Sequence, residues 1–311
     1  MNEQPKVKVG LFSIGLDTYW PQFHGLRERL LGYHGEVRGR LESFDASVVD
    51  CGLVDNPEKA IAAGHRLRSE GAEIIFLFIT TYALSSTVLP VVQRAGVPVV
   101  VLNLQPVAQL DYAKFNALGD RGLMTGVWLE HCQACCAPEL ACVFNRAGID
   151  YHLVTGHLKD DAAWHDIRAW VEASRARDQM RVNRLGVLGH YYCGMLDVYS
   201  DLTQHSVTFG SHIDLLEMCE LRGLRDAVTP ADIKSKIAEF REAFDVAPEC
   251  DASELELAAK TSVALDRLVE RHRLGSMAYY YEGQPSNEYE DIVTSIIAGN
   301  TLLTGRGVPV A

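Results

Sequence analysis

No apolar run in this 311-residue chain reaches the roughly 20 residues that cross a bilayer. "EIIFLFITTYAL" comes nearest, so no membrane association is expected. Basic residues are scarce: 29 Lys and Arg stand against 41 Asp and Glu, a formal net charge of −12. Phosphate backbones are held by clustered Lys and Arg, so no nucleic-acid partner is expected either. The opening "MNEQPKVKVG" shows no apolar segment of the secretory kind, which points to the cytoplasm. No G-x-G-x-x-G follows the first apolar run, and neither G-x-x-x-x-G-K-[ST] nor G-x-S-x-G occurs. These absences remove the dinucleotide fingerprint, the P-loop and the nucleophile elbow of α/β-hydrolases. "GNTLLTGRG" is glycine-rich but follows a helical segment and says little about phosphate. Internal repeats and low-complexity tracts are also lacking.

Cysteine is present, eight times, but without the spacing of a zinc site. "HCQACCAPELAC" holds one C-x-x-C, Cys132 to Cys135, and no second pair exists to complete a tetrahedral set. Trp128, Cys132, Cys135, Cys136 and Leu140 recur at helical spacing. The segment is therefore expected to be a helix whose cysteines are buried small hydrophobes. His24, His34, His65, His131 and His165 fall on helical segments with no partner at ligand spacing, and are expected to be surface or hydrogen-bonded residues.

What remains is an ordinary globular composition, 48% hydrophobic and 23% charged, in a chain long enough for two domains. Five short apolar runs mark the first half: 7–14, 47–54, 73–79, 98–105 and 151–156. They are nearly continuous rather than alternating, as in strands covered on both faces. Helical segments lie between them. Asp55 or Asn56 can cap one, with Pro57 in its first turn. After the charged helix "KDDAAWHDIRAWVEASRARDQMRVNR" the alternation resumes. Strands are expected at "RLGVLGHYY", "SVTFGSHIDLLEM" and "LGSMAYYYEG", and helices at "VTPADIKSKIAEFREAF", "SELELAAKTSVALDRLVERH" and "NEYEDIVTSIIAGN". Thr229 caps the first of these helices, and Ser253-x-x-Glu256 is a capping box for the second. The pattern predicts two Rossmann- or flavodoxin-like αβα domains with mainly parallel sheets, over 1–177 and 178–311.

Open parallel sheets bind ligands beyond the carboxyl ends of their strands. Polar-tipped aromatic residues gather there in this sequence. "GHYYCGMLDVYSDL" (189–202) places His190, Tyr191, Tyr192, Met195 and Asp197 just past one strand. Asp17, Tyr19 and Trp20 follow the first strand, Thr80, Thr81 and Tyr82 the third, and Glu282 the run "MAYYY". Ring faces that pack on CH groups, beside hydroxyls and carboxylates, suit a sugar or another polyol. The plainer alternative is that these residues close loops and cap helices.

Several blocks carry a resemblance over essentially the whole chain: "VGLFSIGLDTYWPQFHGLRERL", "FITTYALSSTVLPVVQRAGVPVVVLNLQP", "NALGDRGLMTG", "LGHYYCGMLDVYSDLTQHSVTFG" and "GNTLLTGRGVPVA". Together they resemble the L-arabinose isomerase-like branch of the L-arabinose/L-fucose isomerase superfamily. The first loop departs from that branch, reading Gly15-Leu-Asp-Thr-Tyr-Trp20 where Gly-Ser-Gln-x-Leu-Tyr is typical. The resemblance implies two Rossmann-like domains ahead of a C-terminal barrel-like domain, and a homo-oligomer, trimer or hexamer. It further implies aldose–ketose isomerisation with Mn²⁺ or another divalent metal, held by two Glu and two His. Those four ligands are expected beyond Ala311, so no catalytic or metal residue is assigned here and no metal is expected in this chain alone. On this view the chain is the N-terminal part of a longer isomerase. In the family a neighbouring subunit completes the sugar pocket, a part that Asn116, Asp120 and Arg121 would play. The competing expectation is a cytoplasmic sugar-binding or sensory module without turnover.

Overall fold

The computed structural model describes residues 6–281, 286, 287 and 289–311. The chain divides into two compact units, Met1–Asp178 and Gln179–Ala311. Both are Rossmann-like α/β units whose parallel sheets, of five and three strands, are flanked by helices.

In the first unit the order is β1 (Lys8–Ile14), α1 (Leu26–Ser43), β2 (Ser47–Val54), α2 (Pro57–Ser69), β3 (Ile74–Ile79), α3 (Leu89–Ala95) and β4 (Val99–Gln105). Then come α4 (Tyr112–Asn116), α5 (Arg121–Glu130), α6 (Gln133–Ala147), β5 (Tyr151–His157) and α7 (Asp161–Val182), the last of which contains the division between units. The strand order is β2-β1-β3-β4-β5, all parallel, the flavodoxin-like arrangement. Alternate residues of each strand enter different cores. Phe12, Ile14, Ile75, Leu77 and Ile79 pack with α2, α3 and α6. Val9, Leu11, Ile74, Phe76 and Phe78 pack with α1 and α7. A strand apolar at every position is thus explained by helices on both faces. Asn56 is the cap of α2, accepting from Lys59 N at 3.0 Å, with Pro57 in the first turn.

The cysteine segment differs from expectation. The helix breaks at His131–Cys132, where the α5 C-cap passes directly into the α6 N-cap. Apolar periodicity continues across the break, which hides it in the sequence. Cys132 and Cys136 are buried, but Cys135 is exposed and is not a core residue.

The second unit runs β6 (Arg184–Gly189), α8 (Leu202–Phe209), β7 (His212–Leu216), α9 (Met218–Asp226), α10 (Pro230–Ala243), α11 (Ala252–His272), β8 (Ser276–Tyr280), α12 (Glu290–Ser295) and α13 (Ile297–Gly305). Its sheet order is β7-β6-β8, again parallel. Residues 309–311 run alongside β8, with Met277 N bonded to Pro309 O at 2.9 Å and Tyr279 N to Ala311 O at 3.1 Å. One sheet face, carrying Leu188, Leu216 and Met277, packs against α9, α11, α12 and α13.

Two local expectations are corrected in this unit. "SVTF" ends α8 rather than opening a strand, because Asp201 caps that helix and Gly210 closes it in the left-handed conformation. The strand begins only at His212. Helix α11 is capped by Asp251, whose Oδ1 accepts from Ser253 N at 2.8 Å, so Ser253 lies inside the helix. A reciprocal capping box does occur on α10, where Thr229 and Asp232 bond each other's backbone and Pro230 fills the first turn.

Candidate functional site

Where strand order reverses, neighbouring loops part and leave a crevice. In the second unit this point lies between β6 and β8, and a cavity of about 420 Å³ opens there. Its floor is the sheet face away from the packed helices, with Leu185 and Val187 of β6 and Ala278 and Tyr280 of β8. Helix α8 stands across from that face, contributing Leu202 and His205, and has no buried residue. The loop after β6 forms the remaining wall.

That loop is positioned by the strand beside it. Gly189 takes φ +85°, and the next N–H, of His190, reaches Tyr280 O at 3.0 Å. The His190 ring meets Tyr280 edge-on at 5.3 Å, and Tyr192 packs on Tyr280 at 4.7 Å between centroids. His190 Nδ1 donates to Tyr191 O at 2.8 Å, leaving Nε2 as acceptor in the neutral ring. Tyr191 packs beside Tyr199 and donates its hydroxyl to Ser200 O at 3.1 Å. His190, Tyr191 and Tyr192 therefore share one cavity. Met195 is exposed and is not among its lining residues. Glu282 lies outside the described residues.

The first-unit residues form a second group at the β1/β3 switch point. Asp17 and Tyr19 bound a short 3-10 turn, and Trp20 Nε1 donates to the buried Asp55 at 2.9 Å. Lys59 also binds Asp55, at 2.6 Å. Tyr19 leans edge-on against Trp20 and Phe23. Burial holds its hydroxyl above the ordinary phenol value, helped by nearby Cys132, Tyr82 and Cys136. Tyr82 is raised too, chiefly by the charge of Glu139, which also accepts from Ser85 N at 2.9 Å. Thr80 and Thr81 are fully buried. Their hydroxyls donate to Ile14 O at 2.5 Å and Leu129 O at 2.7 Å, so both are occupied in joining backbone segments.

The three residues of "NALGDRG" are exposed. Asp120 caps α5, accepting from Leu123 N at 2.7 Å. Arg121 lines a separate cavity of about 230 Å³ with Phe115, Thr125 and Trp128; Asn116 is not one of its lining residues.

His205, Ser200, Tyr280 and the apolar floor were not singled out from the sequence. Their signal was the alternation of Leu185 with Val187 and of Ala278 with Tyr280, which puts each pair on one face. Chemically, the cavity offers aromatic faces, two imidazoles and a few hydroxyls, suited to gripping a CH-bearing ring. It does not offer the donor set of a hard divalent cation. Among the described residues, no group of three or more His, Cys, Asp or Glu could hold a metal ion. None of their helices is long and apolar enough to cross a membrane.

Known proteins show partial, distant similarity. No family model matches. L-arabinose isomerase of Acidothermus cellulolyticus is 26% identical over 149 residues, 46% of this chain and 30% of that protein. The Nocardioides enzyme is 27% identical over 36% of this chain and 22% of its own length. That of Bifidobacterium animalis subsp. lactis is 29% identical over 41% and 26%. The matched stretches span less than a third of each relative. Among solved structures, apo D-lactate dehydrogenase from Escherichia coli aligns over 97% of this chain and 98% of that one, at 12% identity and a TM-score of 0.21. That likeness carries no argument.

Proposed function

We propose that this chain forms the sugar-binding N-terminal part of an aldose–ketose isomerase of the L-arabinose isomerase kind. The observation carrying this reading is the recurrent similarity to L-arabinose isomerases. The aromatic cavity at the β6/β8 edge is consistent with it, as Tyr192 and Tyr280 offer ring faces to a sugar. Asp17, Tyr19, Trp20 and Tyr82 would form a second contact group, and Asn116, Asp120 and Arg121 would face a neighbouring copy in a trimer or hexamer. A divalent metal, Mn²⁺ by preference, would serve the complete enzyme in the cytoplasm by stabilising an enediolate.

A sugar-binding module without turnover is the second reading, favoured by cavity walls of aromatic rings and imidazoles. Titration calorimetry with a panel of aldoses and ketoses tests binding. Tyr192→Ala should weaken it while leaving thermal stability unchanged. Ketose formation with added Mn²⁺, assayed on this chain and on the longest natural form, separates the two readings. Turnover by the longer form supports the isomerase; binding without turnover in either supports the module. No binding by either form sinks both.

A further inference from the structure

The α5–α6 junction holds two thiols that sugar binding leaves unused. Cys132 is the N-cap of α6, at φ −101° and ψ 26°, and is 3% exposed. Cys135, three residues on, is exposed. A rise of about 1.5 Å per residue on a radius of about 2.3 Å brings helical Cα atoms three apart to about 5 Å. Disulfides span Cα separations of about 4.4–6.8 Å. Cys135 is near enough to act on the Cys132 thiol, which it helps to raise. Cys136 is committed elsewhere, giving its thiol to Ala83 O at 3.1 Å in the core.

We propose that Cys132 and Cys135 form a reversible dithiol–disulfide couple that exchanges with a small disulfide of the glutathione type. Cys135 is the entry thiol and Cys132 the resolving thiol. Exposure decides the order. Burial, reinforced by the neighbouring Cys135, pushes the Cys132 thiol up to about 12, so it stays protonated while Cys135 is a free thiol.

The exchange balances. Cys135 loses its proton and attacks one sulfur of the small disulfide, forming a mixed disulfide and expelling one thiolate, which takes up that proton. Cys132 then gives up its proton and attacks the Cys135 sulfur, breaking the mixed disulfide and releasing the second small thiol. Two protein thiols are oxidised to one disulfide, and one small disulfide is reduced to two thiols. The couple sits at the first-unit crevice, since Cys132 is one of the groups that hold the Tyr19 hydroxyl high. Next to it, fully buried Gln133 donates to Thr80 O at 2.9 Å and to Glu130 O at 2.7 Å, so the bridge would form on a segment fastened to the end of β3.

The test equilibrates the full chain with glutathione and glutathione disulfide over a series of ratios, quenches with acid, alkylates after unfolding and maps the peptides by mass. The expected result is joint loss of alkylation at Cys132 and Cys135, with the peptide lighter by two hydrogens and Cys136 still alkylated. Cys132→Ser should instead accumulate a stable glutathione adduct on Cys135, and Cys135→Ser should leave Cys132 a free thiol. A wild-type adduct on Cys135 that never resolves, a bridge to a different cysteine, or two free thiols in glutathione disulfide alone would each overturn the proposal. The wild-type series decides the matter even where a variant fails to fold.

Discussion

Gly189 lies so close to Tyr280 that a Cβ built on it would stand 2.2 Å from the Tyr280 carbonyl oxygen. Its φ of +85° is also one that other residues enter only at a cost of about 1–2 kcal/mol. Gly189→Ala is therefore expected to push β6 from β8 at the mouth of the cavity and to destabilise the second unit by more than about 2 kcal/mol. Chemical denaturation of the variant against wild type measures this. Equal stability would show that the strand ends tolerate separation.

Asp50 gives a pH prediction. His34 Nε2 donates to it at 2.8 Å, while Nδ1 accepts from Ser13 at 2.5 Å, forming a Ser–His–Asp chain between β1, α1 and β2. The His34 hydrogen bond, outweighing burial and helped by Gly52 N–H and Arg38, lowers the Asp50 carboxyl from 3.8 to about 2. A lowered folded value stabilises the protein above the unfolded value. That contribution, on the order of 1–2 kcal/mol after solvent screening, fades as pH falls from about 4 through about 2. Asp50→Asn should be less stable than wild type at neutral pH, and the gap should close over that interval. A gap that persists at the acid end would assign the loss to packing.

Thr81 is fully buried, and its hydroxyl is the partner of the Leu129 carbonyl. Thr81→Val keeps the shape and removes the donor, which should cost about 1–3 kcal/mol through the orphaned carbonyl. Thr81→Ser, which keeps the hydroxyl, should lose less. Urea denaturation of both variants distinguishes the lost bond from a lost methyl.

Thr229 starts α10 through its box with Asp232. Thr229→Ala should destabilise the second unit by about 1 kcal/mol, and Thr229→Ser should recover most of it. Thermal melts of the two variants check this, and equal melts would deny the cap its role.

The elements most legible in the sequence rested on local chemistry. β3 could be placed because every residue is apolar, and β1 and β4 because their apolar runs are nearly continuous, a pattern that requires helices on both sides. The pair Asp55 and Asn56, of which the structure uses Asn56, and Thr229 announced their helices because a cap acts within three residues. Ser253 misled because Asp251, two residues earlier, competes for the same donors. The break at Cys132 was concealed by periodicity that runs unbroken through two successive helices. In the candidate site, His190, Tyr191 and Tyr192 were legible as a cluster past a strand. The cavity floor of Leu185, Val187, Ala278 and Tyr280 was not, because which sheet face is left open depends on distant helices. Thr81 looked available at a strand end, and only its bond to Leu129, 48 positions away, shows that its hydroxyl is already taken.

The central strand β3 is buried at all six positions and lies between β1 and β4. Its amides can exchange with deuterated solvent only when the first unit opens as a whole, so their uptake clocks global unfolding of that unit. Edge strand β7 has one buried residue of five, with Leu215 69% exposed, and its amides should exchange through local fraying long before that. Isotope uptake along the chain would thus separate a rigid interior from a yielding rim, the rim belonging to the sheet that carries the cavity.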